Sequence, residues 1–180
     1  MKNKTKSLTK IALLTALICV GSAITIPMNP VPITLQTFFV MMAGVLLTPV
    51  EAFLSVFIYI LLGLIGLPVF AGFNGGFGTV FTPSFGFIIG FAIGAYVISS
   101  IVKNTTDRKK LLISLLIGQV IFYAIGLPYM YVILNSLGKA PDSLYTLLSW
   151  GLIPFIPGAL IKTIAVVIIA PKVKNALNKM

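Results

Sequence analysis

Acidic side chains are nearly absent from this chain. Its 180 residues include three acids (Glu51, Asp107 and Asp142), no histidine, one cysteine and one tryptophan. Each shortage excludes a class of chemistry. Without histidine there is no Ser–His or Cys–His pair for covalent catalysis. Three scattered carboxylates and one thiol cannot converge on the metal that an intramembrane phosphotransferase or metalloprotease needs. A lone Cys19 builds no disulfide framework. No Walker A sequence is present, so the chain does not hydrolyse ATP by that route. Nor is there the buried acid or histidine relay that a proton-coupled pump uses. What remains is binding: a small solute held within the fold, passed on with energy supplied elsewhere.

Apolar residues are plentiful. The chain is 58% hydrophobic and 9% charged, too apolar for a soluble domain with an ordinary polar surface. It is expected to be a polytopic all-α membrane protein, folded as one compact bundle over residues 1–180. The net charge of +10 does not indicate nucleic acid, because the basic residues cluster at the ends of apolar runs, as topology signals do.

Runs of near-spanning length occur at about 8–27, 33–48, 51–67, 83–102, 111–135 and 149–170. The second and third are short and separated by Thr48-Pro49-Val50, which predicts a tight helical hairpin or tilted helices. Breaks carry turn chemistry: Pro27, Pro30 and Pro32, Pro49, the glycine cluster at 72–78, residues 104–107 and 138–142, and Pro171. With six spans and the N-terminus inside, Lys2, Lys4, Lys6, Lys10, Lys103, Arg108, Lys109, Lys110, Lys172, Lys174 and Lys179 all fall on the cytoplasmic side, and only Lys139 falls outside. Both termini are therefore expected in the cytoplasm. A cleaved signal peptide ending near Gly21-Ser22-Ala23 is the competing reading of the N-terminus. It is the weaker one, because the apolar stretch runs on through Ile26.

Lys162 is the one charge inside a long apolar run, residues 150–170. If that run is a single helix, the ammonium lies roughly 12–15 Å from either end, near the middle of a bilayer. A lone intramembrane cation costs several kcal/mol unless it meets a partner or a watery cavity, so it marks a functional site. The alternatives are snorkelling, or pairing with a backbone carbonyl. An anionic ligand is the simplest partner, because no acid in the chain is placed to serve.

The loop GLPVFAGFNGGFGTVFTPSFGF, residues 66–87, mixes glycines, Asn74 and phenylalanines. Gly75 and Gly76 let backbone approach a ligand closely. Asn74 offers an amide, and Phe70, Phe73, Phe77, Phe81, Phe85 and Phe87 offer apolar walls, a composition suited to a pocket. A long loop without structure of its own in a compact bundle is more often functional than idle, and 72–78 is the candidate gate. Thr34 and Gln36, at the outer start of the second span, need hydrogen-bond partners from a ligand or a neighbouring helix. Tyr129 and Tyr131 either line a cavity or pack in the core. Trp150 and Tyr145 read as interfacial anchors. Gly86, Gly90 and Gly94, four apart, predict close helix packing; Ala12 and Ala16 have the same spacing and serve either packing or docking.

Three stretches in order carry a resemblance: NPVPITLQTFFVMMAGVLLTP at 29–49, LLGLIGLPVFAGFNGGFG at 61–78 and TPSFGFIIGF at 82–91. With FIPGALIK at 155–162, they resemble the BioY family, the biotin-specific substrate-binding (S) components of energy-coupling factor transporters. The resemblance covers about residues 8–172. It implies a six-helix bundle with both termini cytoplasmic, in the cell membrane. It implies capture of biotin from outside, no cofactor, and partnership with a transmembrane coupling protein and two ATP-binding-cassette ATPases that do the hydrolysis. Small residues on the first helix of such components dock on the coupling protein, which assigns Ala12 and Ala16 to that contact. Lys162, Asn74, Gly75, Gly76, Phe73, Gln36, Thr34 and Tyr129 are the ligand-binding candidates. The late motif departs from the family's PGDxxK: Ala159 stands where Asp is expected. Positions 159 and 162 share a helix face, so Lys162 loses an internal counter-ion. Other outcomes are an S component for a different small vitamin, or a small-solute channel.

Overall fold

The computed structural model describes residues 2–102, 105 and 107–178. The charges Lys103 and Lys179 and the break residues Asn104 and Thr106 lie outside the described residues.

The chain runs α1 (Lys2–Ala23), β1 (Thr25–Ile26), β2 (Ile33–Thr34), α2 (Gln36–Leu46), α3 (Pro49–Leu64), α4 (Phe85–Val102), α5 (Arg108–Ser136), α6 (Leu144–Gly151) and α7 (Ile156–Asn178). Short 3₁₀ turns occupy Phe77–Phe81 and Ile153–Phe155. Four helical stretches are long and apolar enough to cross a membrane: Lys4–Ala23, Phe85–Val102, Arg108–Ser136 and Leu144–Ala176. The hairpin helices α2 and α3, of 11 and 16 residues, fall short of the roughly 20 residues of a full crossing.

Helix boundaries follow local chemistry. Pro49 sits in the first turn of α3, where its missing N–H is no loss, and Glu51 reaches back to accept the Thr48 backbone N–H at 3.0 Å. The Ser7 hydroxyl of α1 also donates to Glu51, tying α1 to α3. The Asp107 carboxylate caps α5 by accepting the Lys109 N–H at 3.0 Å.

Two sequence expectations change here. The run 149–170 is not one helix. It breaks at the Ile153–Phe155 turn, where Pro154 offers no N–H, and α7 starts only at Ile156. Lys162 therefore lies roughly 9 Å along α7 from its first residue, not midway along an unbroken span. The loop at 66–87 is also not structureless. Phe70 and Asn74 exchange backbone hydrogen bonds, the Gly76 N–H reaches Gly63 O at 2.7 Å, and a 3₁₀ turn follows.

The core sits where α4 packs against α5, α3 and α2. Gly86, Gly90 and Gly94 all face α5: a Cβ at Gly90 would meet the Phe122 backbone at 3.0 Å, and one at Gly94 would lie 2.3 Å from the Phe122 ring. Gly118 and Gly126 receive Ile98 and Phe87 in return. This is the close approach that small residues at four-residue spacing permit. Buried hydroxyls satisfy backbone carbonyls across helices, as where Thr15 donates to Ser55 O at 2.9 Å.

Candidate ligand-binding site

Two adjoining spaces open between the β1–β2 hairpin, the 66–87 loop and the inner ends of these elements. The inner cavity has a volume of about 60 Å³, and the outer vestibule about 620 Å³. Val31, Pro32, Thr34, Phe87 and Phe91 line both, so the inner cavity adjoins the vestibule. The vestibule lies in the volume range of small-molecule pockets, and the inner cavity is a smaller recess beside it.

Lys162 and Ala159 of α7 line the inner cavity together, as their spacing requires. The Lys162 ammonium donates to Thr34 O at 3.1 Å and to the Thr37 hydroxyl. Both acceptors are neutral. Among the described residues no carboxylate lines either space: Glu51 and Asp107 cap helices, and Asp142 is exposed. Thr37 lies in the first turn of α2, whose free N–H groups carry partial positive charge. The ammonium and that helix end both favour an anion or a carbonyl oxygen. The rest of the lining is aromatic: Phe87 and Phe91 from α4, Phe122 and Tyr123 from α5, and Phe155. Beside the cavity the Gln119 Nε2 of α5 donates to the buried hydroxyl of Thr163 on α7.

The expected site residues divide. Thr34 faces both spaces through the hairpin. Gln36, Asn74 and Gly75 line the vestibule. Gln36 is only 3% exposed, and its Nε2 has no partner among the described residues. The Asn74 Nδ2 donates to Ala71 O at 2.8 Å, which leaves its carbonyl for a ligand. Gly75 has no room for a side chain: a Cβ would lie 2.3 Å from Leu67 O.

Three expectations are corrected. Phe73 is 69% exposed at positive φ and lines neither space, as the tight turn at 70–74 points its ring outward. Gly76 lines neither space; its positive φ and its bond to Gly63 shape the loop. Tyr129 packs against Gly86, and its hydroxyl donates to Val80 O, anchoring the loop rather than lining the cavity. Phe77 and Phe81 are also exposed, whereas Phe70, Phe85 and Phe87 of the same stretch line the vestibule, joined by Phe91 of α4. Tyr131 faces outward, and Ala12 and Ala16 are exposed on α1 rather than packed inside the bundle. Sequence reasoning missed Thr37 and Gln119. Gln119 carried a signal: it is the only amide side chain between positions 111 and 133, at a depth where it must find a partner.

A chain of apolar helices with an aromatic-walled cavity and a half-buried cation in its lining has the form of a small-solute binding protein. The BioY family model matches residues 1–179, and this chain belongs to the BioY family. It is 37% identical to the biotin transporter BioY of Thermotoga maritima over 170 residues, 94% of this chain and 96% of that one. The probable biotin transporter BioY of Pyrococcus horikoshii is 36% identical, with 96% and 98% covered. Among solved structures, the S-component for biotin from an ECF-type ABC transporter superposes with a TM-score of 0.83 at 33% identity, covering 97% of this chain and 93% of that one.

Proposed function

We propose that this chain captures biotin from outside the cell and delivers it inward as the substrate-specificity subunit of an energy-coupling factor transporter. The observation that carries the reading is the Lys162 ammonium, held only by neutral acceptors in a cavity that adjoins a vestibule. Biotin has a carboxylate on a four-carbon chain, an apolar sulfur-containing ring and a polar ureido group. The cation suits a carboxylate or ureido oxygen, the aromatic walls suit the ring, and the vestibule amides suit the second polar end.

The family is a substrate-binding component of a transporter rather than an enzyme. We assign ATP hydrolysis to two partner ATPases and coupling to a separate transmembrane protein. Six crossings in the cell membrane with both termini inside fit the charge pattern, with α2 and α3 as a short hairpin and α6–α7 as one interrupted crossing. The exposed face of α1 carrying Ala12 and Ala16 is the surface we assign to the coupling protein.

Equilibrium binding of labelled biotin to the purified protein tests the reading. Tight, saturable binding displaced by unlabelled biotin is the expected result, and no binding by the folded protein overturns it. Ala159 gives a second reading some support, because the family pattern has a carboxylate there. An S component for another small vitamin would show itself in a competition panel, where some other vitamin displaces the label better than biotin.

A further inference from the structure

Gln119 of α5 lines the inner cavity together with Lys162 of α7, and its hydrogen bonds fix which way its amide points. Thr163 is 1% exposed, and its hydroxyl carries a single proton. Of its two acceptors, Ala159 O at 2.8 Å and the weak acceptor Met41 Sδ at 3.9 Å, the carbonyl takes that proton. The hydroxyl must then accept from Gln119, so the group turned toward it is Nε2 and not Oε1. Met41 agrees: its Sδ lies 3.9 Å from the same nitrogen, and a reversed amide would set an oxygen lone pair against sulfur. Amide orientation is properly assigned from such a network.

The consequence is a directional pair. Gln119 Oε1 has no donor among the described residues. The Lys162 ammonium has three N–H groups and spends two of them on Thr34 and Thr37. The cavity therefore presents one spare acceptor and one spare donor, between aromatic walls. We propose that Gln119 is a specificity-determining residue of this site, its Oε1 accepting an N–H of a cyclic urea while Lys162 takes the adjacent carbonyl. The proposal rests on the biotin reading and deepens it. A site built to pair an N–H strongly disfavours analogues that lack it, because its buried acceptor is then left unpaired.

The test uses biotin and the two cyclic-carbamate analogues in which one urea N–H is replaced by oxygen, measured by competition against labelled biotin. The proteins are unmodified, Gln119→Met and Thr163→Val. The unmodified protein should prefer biotin over one analogue by at least about threefold to tenfold. In Gln119→Met, which keeps length but lacks the acceptor, that preference should vanish while biotin binds about threefold to tenfold more weakly. Thr163→Val, which frees the amide to turn, should shrink the same preference. Comparing ligands on one variant cancels any loss of folded protein. An unchanged preference in Gln119→Met, or no preference in the unmodified protein, overturns the proposal. Failure of the unmodified protein to bind biotin at all overturns the reading beneath it.

Discussion

The Lys162 ammonium on α7 donates to the carbonyl oxygen of Thr34, 128 residues earlier in the chain, at 3.1 Å. That bond joins the last long helix to the hairpin that walls the vestibule. It gives a half-buried cation a neutral partner and leaves a donor for a ligand.

Lys162→Met should weaken biotin binding roughly tenfold to over a hundredfold, the loss of about 1.5–3 kcal/mol for a charge-assisted hydrogen bond. Because Met fills much of the same space without a charge to bury, thermal stability in detergent should not fall. Isothermal titration beside a melting curve separates the two effects. Undiminished binding would remove Lys162 from the site.

Thr37 is the side-chain acceptor that holds the ammonium in place. Thr37→Val keeps the shape and deletes the hydroxyl, so biotin affinity should drop by about twofold to tenfold, the scale of one hydrogen bond. Thr37→Ser should restore most of it. Equal losses in both variants would mean that packing of the methyl group, and not the hydroxyl, matters.

Ala159→Asp adds a carboxylate one helical turn from Lys162, on the wall that both residues share. It gives the cation a partner and the urea a second acceptor. Biotin affinity should rise by about tenfold, the scale of a hydrogen bond to a charged group. A fall on equilibrium titration would show that the unneutralised ammonium is what biotin uses.

Gly90→Val should destabilise the bundle by about 1–3 kcal/mol, because its side chain meets Phe122 backbone that cannot swing aside. A lower thermal midpoint in detergent checks this. Gly78→Val, with nothing within 4 Å of its Cβ, is the control that should change the midpoint little.

Ala12→Trp and Ala16→Trp alter exposed positions on α1. Binding of biotin by the purified protein should stay the same, while uptake into cells that supply the ATPase module should fall severalfold. Uptake at the unmodified level would move the partner contact elsewhere.

Much of the site was legible in single residues. Lys162 stood out because a charge in an apolar run is costly enough to need a reason. Thr34, Gln36 and Asn74 stood out because polar groups beside apolar runs must be satisfied. Phe73, Gly76 and Tyr129 misled because composition marks which loop matters without saying which side of it faces the cavity. Turn geometry at positive φ decides that, and it turned Phe73 outward.

Composition and the spacing of charges by themselves marked a multi-pass helical chain and singled out Lys162 as the cation inside an apolar run. They did so because burial costs of charge and apolar surface are local properties of a residue and its run. Tertiary structure alone decided that the last apolar run breaks at Pro154, that Thr34 and Thr37 receive the ammonium, and that Gln119 turns its oxygen free. Those depend on which helices meet at what depth, and hydrogen bonds between residues 44 to 128 positions apart leave no periodic trace in the chain.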